Sequence, residues 1–375
     1  MSRLSGLVPA VRFPLLALGL ASLFAGVWAG LLRFGWSLPT GRANLVELHG
    51  PLMVFGFLGT VVSLERAVAL RRPWGYLAPA GALAGAGLLL FGVRQGAGEL
   101  VLLLAGCVLC GLFVVILRAH RTAATATLLV GALLWVAGDA IWLAGRPLVQ
   151  VVPWWAGFLV LTIFGERLEL AAMGRLDTLG RATFAALTLW LIAGLALSAA
   201  DAGAGIRVAG ASLAGFALWL ARYDIARRTV RRAGLPRFVA CALLAGYVWL
   251  AVGGVLWARD GAAVAGPAHD AELHAIFLGF VFSMIFGHAP VIFPGVLGLA
   301  MPYRRVFYGH LALLHVGVAL RIAGDLGGSF RLAQRGALIG AIAIGVFLVA
   351  TIGSAVVARL SRRGAAAVPA ARRAR

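Results

Sequence analysis

Two histidines lie within strongly apolar stretches of this sequence, where ionisable side chains are rare. His49 stands near the start of one stretch and His274 near the start of another. With a helical rise of about 1.5 Å per residue, both fall in the outer third of a membrane-spanning helix. Two imidazoles at one depth, on two helices, suit the axial ligation of a haem iron or part of another metal site. The alternative is that both histidines bond to loop carbonyls.

The other histidines at helix depth divide into layers. His288 follows His274 by about four helical turns on the same face, roughly 20 Å deeper, so one metal cannot bind both. It belongs to an inner layer near the cytoplasmic side, together with Glu65, Glu166 and His310. His315 points to a different neighbour than His310, as a further metal ligand or as a hydrogen bond between helices. Together with His269, which lies beside the outer pair, these residues are the predicted further metal ligands.

The acidic residues at helix depth are the predicted proton or ion carriers. Glu65 and Glu166 each precede an arginine, and such internal acid–base pairs form either a structural salt-bridge ring or a proton path. Asp139 has no arginine beside it, and it either carries protons or pairs with a buried donor such as Trp142. Glu272 lies close to the outer histidines, where it either fixes an imidazole tautomer or is simply solvated.

The elements that position these residues are membrane-spanning helices. The chain of 375 residues is 62% hydrophobic and only 12% charged, whereas soluble domains are about a quarter charged. A spanning helix takes about 20 apolar residues. Twelve such stretches predict an all-α integral membrane protein, with helices at residues 13–32, 45–70, 77–93, 99–117, 123–145, 148–173, 182–200, 206–221, 238–257, 271–293, 305–323 and 336–358.

A motif recurs with a period of four helices. It reads GFLGTVVSLER from residue 56 in the second predicted helix, GFLVLTIFGER from residue 157 in the sixth, and GFVFSMIFGHA from residue 279 in the tenth. Nine positions after each glycine stands a polar residue, namely Glu65, Glu166 and His288. The pattern predicts a single transmembrane domain over 1–375 with a pseudo-threefold arrangement of four-helix repeats. The repeats cover about 13–117, 123–221 and 238–358, and a basic cytoplasmic tail follows at 359–375.

The net charge of +20 reflects how arginine is distributed along the chain. The arginines form short clusters between apolar runs rather than one continuous face, which argues against nucleic-acid binding. With both termini in the cytoplasm, 24 of the 33 arginines fall on the inner side and 9 on the outer side. Cytoplasmic loops carry such an excess. The sequence therefore predicts a multi-pass protein of a bacterial inner membrane, embedded in the lipid bilayer.

This arrangement resembles the catalytic subunit of haem–copper oxidases and nitric oxide reductases, which has twelve helices in three arcs of four. In that family one histidine from helix two and one from helix ten hold the low-spin haem, and His49 and His274 match those positions. The family's second metal site takes histidines from helices six and seven. Here Gln150, Trp154 and Trp155 stand at the outer end of helix six, helix seven has no histidine, and Glu272 replaces the second histidine of helix ten. The resemblance therefore implies one haem rather than oxygen reduction at two metals.

Two segments are similar to those of NnrS-like proteins, which are twelve-helix haem and copper membrane proteins of the bacterial nitric oxide stress response. The segments are HGPLMVFGF at residues 49–57 and HAIFLGFVFSMIFGH at residues 274–288. The similarity implies haem b, with copper as an additional metal, and nitric oxide, a quinol or a cytochrome c as partner. It leaves open a haem-dependent oxidoreductase activity. The alternatives are a proton- or ion-coupled transporter without haem and a structural membrane protein without a cofactor.

Overall fold

The computed structural model describes residues 2–40, 45–93, 96–173 and 176–366 of the chain, and within these ranges it contains helices and no strand. Twelve of the helices are long and apolar enough to cross a membrane, which is the architecture of a multi-pass membrane protein. Numbered α1 to α12, they are Val11–Arg33, His49–Leu70, Pro73–Phe91, Ala97–Ala119, Ala123–Leu143, Leu148–Ala172, Thr178–Ser198, Ala202–Tyr223, Leu235–Asp260, Pro267–Leu297, Phe307–Leu326 and Phe330–Ser361.

All twelve predicted spans are present, with shifted ends. Both α3 and α10 begin about four residues earlier than predicted, at Pro73 and Pro267, because proline suits the first turn of a helix. The last helical segment continues to Ala366, into the predicted tail at 359–375, since the alanines and arginines there favour a helix. The remainder of that tail, residues 367–375, lies outside the described residues.

Polar side chains cap the first turns of helices at both ends of the bundle. Thr122 forms a capping box with Thr125 at the start of α5. Asp177 accepts a hydrogen bond from the Gly180 amide at the start of α7, and Asp201 accepts one from the Ala204 amide at the start of α8. Such caps satisfy backbone amides that a helix leaves free in its first turn. The connections between spans can therefore stay short.

Three helices form the centre of the bundle. Within the described residues, α2, α6 and α10 are the most buried of the twelve spans. Phe55 of α2 packs against Trp135 of α5 and Trp155 of α6, with ring centroids 4.8 Å apart in both contacts. Phe164 of α6 meets Phe280 of α10 at 6.1 Å. Contacts of this kind between aromatic rings stabilise the packing, and they hold together the three helices that carry the repeated motif.

The helix α11 is held close to α12 by small residues. A Cβ atom added at Gly317 would lie 2.7 Å from the backbone nitrogen of Gly340 on α12, so only glycine fits. Small residues allow this close approach of backbones between membrane helices. One turn after Gly317 comes Arg321, whose side chain is buried. The tight α11–α12 pair thereby places a fixed positive charge beside the N-terminal end of α10.

Candidate functional site at a pair of histidines

His49 and His274 lie next to each other near one end of the bundle. His49 is the first residue of α2, and His274 lies two turns into α10. The centroids of their rings are 6.2 Å apart, and the ring planes are inclined by only 22°. Two imidazoles that bind one metal from opposite sides, at about 2 Å each, have ring centroids roughly 6 Å apart. The two residues predicted as a pair are therefore spaced as two ligands of one metal would be.

Both imidazoles have a defined tautomer. The Nδ1 atom of His49 is 2.7 Å from the carbonyl oxygen of Gly26, and the Nδ1 atom of His274 is 2.8 Å from the carbonyl oxygen of Asp270. A carbonyl oxygen only accepts, so each Nδ1 carries the proton and each Nε2 keeps its lone pair. Metal-binding histidines commonly use such a bond to fix the ring. Both histidines thus have the tautomer in which the lone pair of Nε2 is free to bind a metal.

Each histidine is followed by a stretch of π-helix. In α2 this stretch is Leu52–Gly59, and in α10 it is Ala275–Val281. The third helix with the repeated motif, α6, is a regular α-helix and contains Pro153. Wider π turns inside α-helices occur frequently at functional sites. Sequence reasoning missed them, because the Gly-Phe pair within both π stretches also occurs in α6, where the helix is regular.

A bidentate ion pair lies one helical turn before His274 in α10. The carboxylate of Asp270 accepts hydrogen bonds of 2.7 and 2.9 Å from the buried guanidinium of Arg321. That guanidinium also lies 4.3 Å from the ring centroid of Phe34, which follows α1, and such a cation–π contact adds stability. Sequence reasoning did not select Asp270, although its place one turn before His274 on the same helix face was a usable signal.

The two other residues predicted at the outer layer lie to one side of the histidine pair. Glu272 is buried, and within the described part of the chain its Oε1 atom has no hydrogen-bond partner. The charged groups that act on it are Asp260 and Arg259 on α9. His269 lies in the first turn of α10 and is partly exposed. Glu272 therefore faces α9. The tautomers of His49 and His274 are fixed by backbone carbonyls and not by Glu272.

The sequence of the chain matches a known protein family. Residues 12–356 match the family model described as a domain of unknown function, DUF8744. The chain belongs to the DUF8744 family. No curated protein matches it. The family description names no activity, so the chemistry of this DUF8744 chain has to be inferred from its own side chains.

Between α2 and α6 of the DUF8744 chain, one arginine forms ion pairs with two carboxylates. Arg66 bonds to Glu166 across the α2–α6 interface and lies 3.4 Å from Glu65. The predicted pairing of Glu65 with its neighbouring arginine is confirmed. The predicted pairing of Glu166 with Arg167 is wrong, because the packing of α2 against α6 brings the carboxylate of Glu166 to the guanidinium of Arg66 instead. The partner of Arg167 is Asp224, at 3.9 Å.

Asp224 lies just outside the membrane-spanning part of α8. Burial raises the pKa of its carboxyl group, and the nearby guanidinium of Arg167 opposes that rise. The carboxylate also accepts a 2.7 Å hydrogen bond from the backbone amide of Ala226. Asp224 therefore anchors the connection between α8 and α9 to the centre of the bundle.

His288 and His310 do not form a joint site. The Nδ1 atom of His288 donates to the carbonyl of Met284 in its own helix, at 2.7 Å. His310 is buried, and neither of its ring nitrogens has a hydrogen-bond partner among the described residues. Within those residues no three histidine, cysteine or acidic side chains converge on a metal position. Four phenylalanine rings surround the imidazole of His310, namely those of Phe238, Phe286, Phe307 and Phe347.

His315 takes part in a hydrogen-bond chain between helices. The indole nitrogen of Trp249 on α9 donates to Nδ1 of His315, at 3.0 Å. An indole N–H only donates, so the proton of His315 is on Nε2, which faces the hydroxyl of Ser283 on α10 at 3.4 Å. The Ser283 hydroxyl donates in turn to the carbonyl of Ala242. This confirms the predicted hydrogen bond between helices and leaves no lone pair on His315 for a metal.

Asp139 is fully buried and accepts two hydrogen bonds from indole rings. Trp135 donates to one carboxylate oxygen at 2.8 Å, and Trp155 of α6 donates to the other at 3.0 Å. The prediction that Trp142 is the partner of Asp139 is wrong. The ring of Trp142 packs edge-on against that of Trp155, with the ring centroids 5.3 Å apart. The carboxylate therefore joins α5 to α6 next to Phe55 of the first π-helix.

Replacement of Asp139 by asparagine is expected to destabilise the protein by about 1–3 kcal/mol. The amide retains one acceptor oxygen, but its NH₂ group donates and faces an indole that also donates. The measurement is thermal unfolding in detergent, followed by tryptophan fluorescence. Trp142→Phe serves as the control, because that ring gives Asp139 no hydrogen bond. Equal unfolding midpoints for Asp139→Asn and the native chain would show that the two indole bonds contribute little.

Proposed function

We propose that this protein is a haem-binding membrane protein that transfers electrons, with His49 and His274 as the two axial ligands of one haem b. The observation that supports the proposal most is the pair itself, with ring centroids 6.2 Å apart and the Nδ1 atom of each ring bonded to a backbone carbonyl. A haem needs only two protein ligands, because the macrocycle supplies the remaining four nitrogens. A bound haem would supply one-electron redox chemistry.

Electron transfer is favoured over the binding of nitric oxide. Both axial positions of the iron would be filled by protein side chains whose rings are fixed by Gly26 and Asp270. A small ligand such as nitric oxide would require one of these bonds to open. We therefore propose that the partner is an electron donor, either a quinol or a cytochrome c. Any role of the protein in nitrosative stress would then depend on electrons from that donor.

Copper is not part of the proposal. The further predicted metal ligands lie apart from one another in the described part of the chain, which holds no cluster of three or more such side chains. His315 has both ring nitrogens in hydrogen bonds, and His288 uses one nitrogen within its own helix. One haem accounts for the paired histidines, and the remaining histidines are proposed to be structural.

The proposal extends to the arrangement and placement of the chain. We propose a pseudo-threefold arrangement of four-helix repeats, related to NnrS-like proteins and to haem–copper oxidases. The central position of α2, α6 and α10, which carry the repeated motif, supports it. The excess of arginine in alternate loops supports a bacterial inner-membrane location with both termini in the cytoplasm. The histidine pair then lies near the periplasmic side.

A proton- or ion-coupled transporter has less support. Glu65 and Glu166 share the guanidinium of Arg66, and Asp139 is held by two indoles on another side of the bundle. These carboxylates are engaged in contacts that join helices. A relay would require them to exchange partners.

The proposal is tested by spectroscopy on the purified protein. We expect a Soret band, one haem per chain by metal and pyridine haemochrome analysis, and sharp low-spin bands after reduction. Because the two imidazole planes are inclined by only 22°, the oxidised protein should give a rhombic low-spin electron paramagnetic resonance spectrum. Absence of haem after expression with excess haem precursor would refute the proposal. A purely high-spin spectrum would refute the assignment of two histidine ligands.

Substitution of Gly30 by alanine is expected to weaken haem retention several-fold. A Cβ atom at Gly30 would lie 2.9 Å from Cε1 of His49, so the imidazole would have to move. Displacement of a ligand ring weakens its bond to a metal, as the loss of an outer-shell partner does by about 10–100-fold. Haem content per chain is the measurement. Gly87→Ala is the matched control, because a Cβ there meets nothing within 4 Å; equal haem content in both variants would contradict the expectation.

A further inference from the structure

Four exposed arginines line a single open cavity on the surface, at the end of the bundle opposite the histidine pair. The cavity has a volume of about 330 Å³, and its lining residues are Arg222, Arg227, Arg228 and Arg231. Arg222 lies in the last turn of α8, and the others lie in or after the short helix Ala226–Thr229 that precedes α9. The cavity therefore lies where two membrane helices leave the bilayer.

The positive charges in this cavity are not balanced by carboxylates of the protein. Within the described residues, none of the four arginines forms an ion pair. The two acids in the adjoining cavity are used elsewhere. Asp177 caps α7 through the Gly180 amide, and Asp224 is bonded to the Ala226 amide and faces Arg167. Four guanidinium groups in one concavity with no partner carboxylate call for an anion from outside the chain.

Contacts within the chain orient two of the arginines in this cavity. Arg227 donates from Nη1 to the carbonyl of Arg222, at 2.7 Å, and the guanidinium of Arg222 lies 5.3 Å from the ring centroid of Tyr223. The connection itself is anchored by the buried carboxylate of Asp224. Two of the four arginines are thus oriented before a ligand arrives, which lowers the entropy cost of binding.

The neighbouring surface indicates a lipid rather than a soluble anion. Leu218 lies one turn inward of Arg222 on the same helix face, and 72% of it is exposed. An exposed leucine at that position offers a surface for an acyl chain directly below the arginines. Guanidinium groups bind phosphate oxygens in bidentate fashion. Basic pockets between membrane helices at the cytoplasmic side bind the headgroups of such lipids.

We propose that this cavity, defined by Arg222, Arg227, Arg228 and Arg231, binds the headgroup of an anionic phospholipid, and that a diphosphate lipid binds more tightly than a monophosphate one. The volume exceeds what one phosphate group needs, since one water takes roughly 30 Å³ in the liquid. Four guanidinium groups suffice for two phosphates at two per phosphate. The proposal does not depend on whether the protein binds haem.

The test uses the full-length protein in nanodiscs and in detergent. Lipid binding is measured by native mass spectrometry and by titration with cardiolipin, with phosphatidylglycerol and phosphatidylcholine for comparison. The triple variant Arg227→Gln/Arg228→Gln/Arg231→Gln should bind cardiolipin on the order of 100-fold more weakly. The matched control is Arg72→Gln/Arg118→Gln/Arg121→Gln, which removes the same charge from exposed arginines at the same end of the bundle.

Each outcome decides the proposal. The proposal is supported if the first triple variant loses cardiolipin binding while the control variant binds cardiolipin almost as the native chain does. Equal losses in both variants would mean that total charge rather than the cavity attracts the lipid, and would overturn it. Displacement of cardiolipin from the native chain by millimolar inorganic phosphate at constant ionic strength would assign the cavity to a free anion. Should the triple variant not fold, that competition on the native protein still decides between the lipid and phosphate.

Discussion

Replacement of either His49 or His274 by alanine is expected to remove the haem from the purified protein. In the proposed site each side chain would supply one of the two bonds to the haem iron. The ring centroid of the other histidine is 6.2 Å away on a different helix, so neither side chain could replace the other. Haem content per chain should fall by about tenfold or more, since loss of even an outer-shell partner costs about 10–100-fold in metal affinity. The Soret absorbance relative to the protein absorbance measures the effect.

Two control variants separate a ligand from a structural histidine. His288→Ala alters the same helix, α10, about four turns away, and His120→Ala alters an exposed histidine outside the spans. Both should retain haem. Loss of haem in His288→Ala together with full retention in His274→Ala would place the ligand in the inner layer and contradict the proposed pair.

Rescue by added imidazole distinguishes ligation from folding. His274→Gly leaves a space the size of the lost ring, and imidazole in the buffer is expected to restore the low-spin spectrum. A variant that had lost haem through misfolding would not recover in this way. Failure of imidazole to restore the spectrum in both His49→Gly and His274→Gly, with both variants stably folded, would count against direct ligation.

The pairing of His49 with His274 could be predicted from the sequence for a physical reason. Ionisable residues are costly at membrane depth, so a few histidines in an apolar chain stand out. The repeated Gly-Phe motif placed both histidines at similar positions on related helices. Depth along a helix follows from residue counting, because the rise per residue is constant. The twelve spans follow from the same regularity.

The contacts that support the pair could not be predicted in this way. Arg321 is 51 residues from Asp270 in the chain, and its guanidinium reaches that carboxylate only because α11 packs beside α10. The π-helices depend on packing at the centre of the bundle, since α6 has the same Gly-Phe pair in a regular helix. Helix registry and side-chain rotamers decide these contacts, and neither is encoded in hydropathy or spacing.

Partner choice among charged and aromatic residues shows the same limit. Proximity in sequence favoured Arg167 for Glu166 and Trp142 for Asp139. Glu166 instead bonds to Arg66 on another helix, and Asp139 accepts a hydrogen bond from Trp155, also on another helix. Residue types predicted that these carboxylates need partners. Which side chains become those partners depends on how α2, α5 and α6 pack against one another.

Replacement of Arg66 by methionine is expected to destabilise the protein by about 3–5 kcal/mol, the range found when one partner of a buried ion pair is removed. Its guanidinium is the shared partner of Glu65 and Glu166, and its removal would leave two mostly buried carboxylates facing each other at the α2–α6 interface. Thermal unfolding in nanodiscs, followed by circular dichroism, measures the loss. Arg118→Met, at an exposed position, is the control.

The cause of that loss is identified by neutralising the carboxylates. In the triple variant Arg66→Met/Glu65→Gln/Glu166→Gln no uncompensated charge remains, and apolar or neutral groups of similar volume often restore what a broken ion pair costs. The triple variant should therefore unfold at a markedly higher temperature than Arg66→Met alone. If it unfolds at the same temperature, the arginine acts through the packing of its aliphatic stem and not through its charge. The inner layer would then be a packing contact rather than an electrostatic junction between α2 and α6.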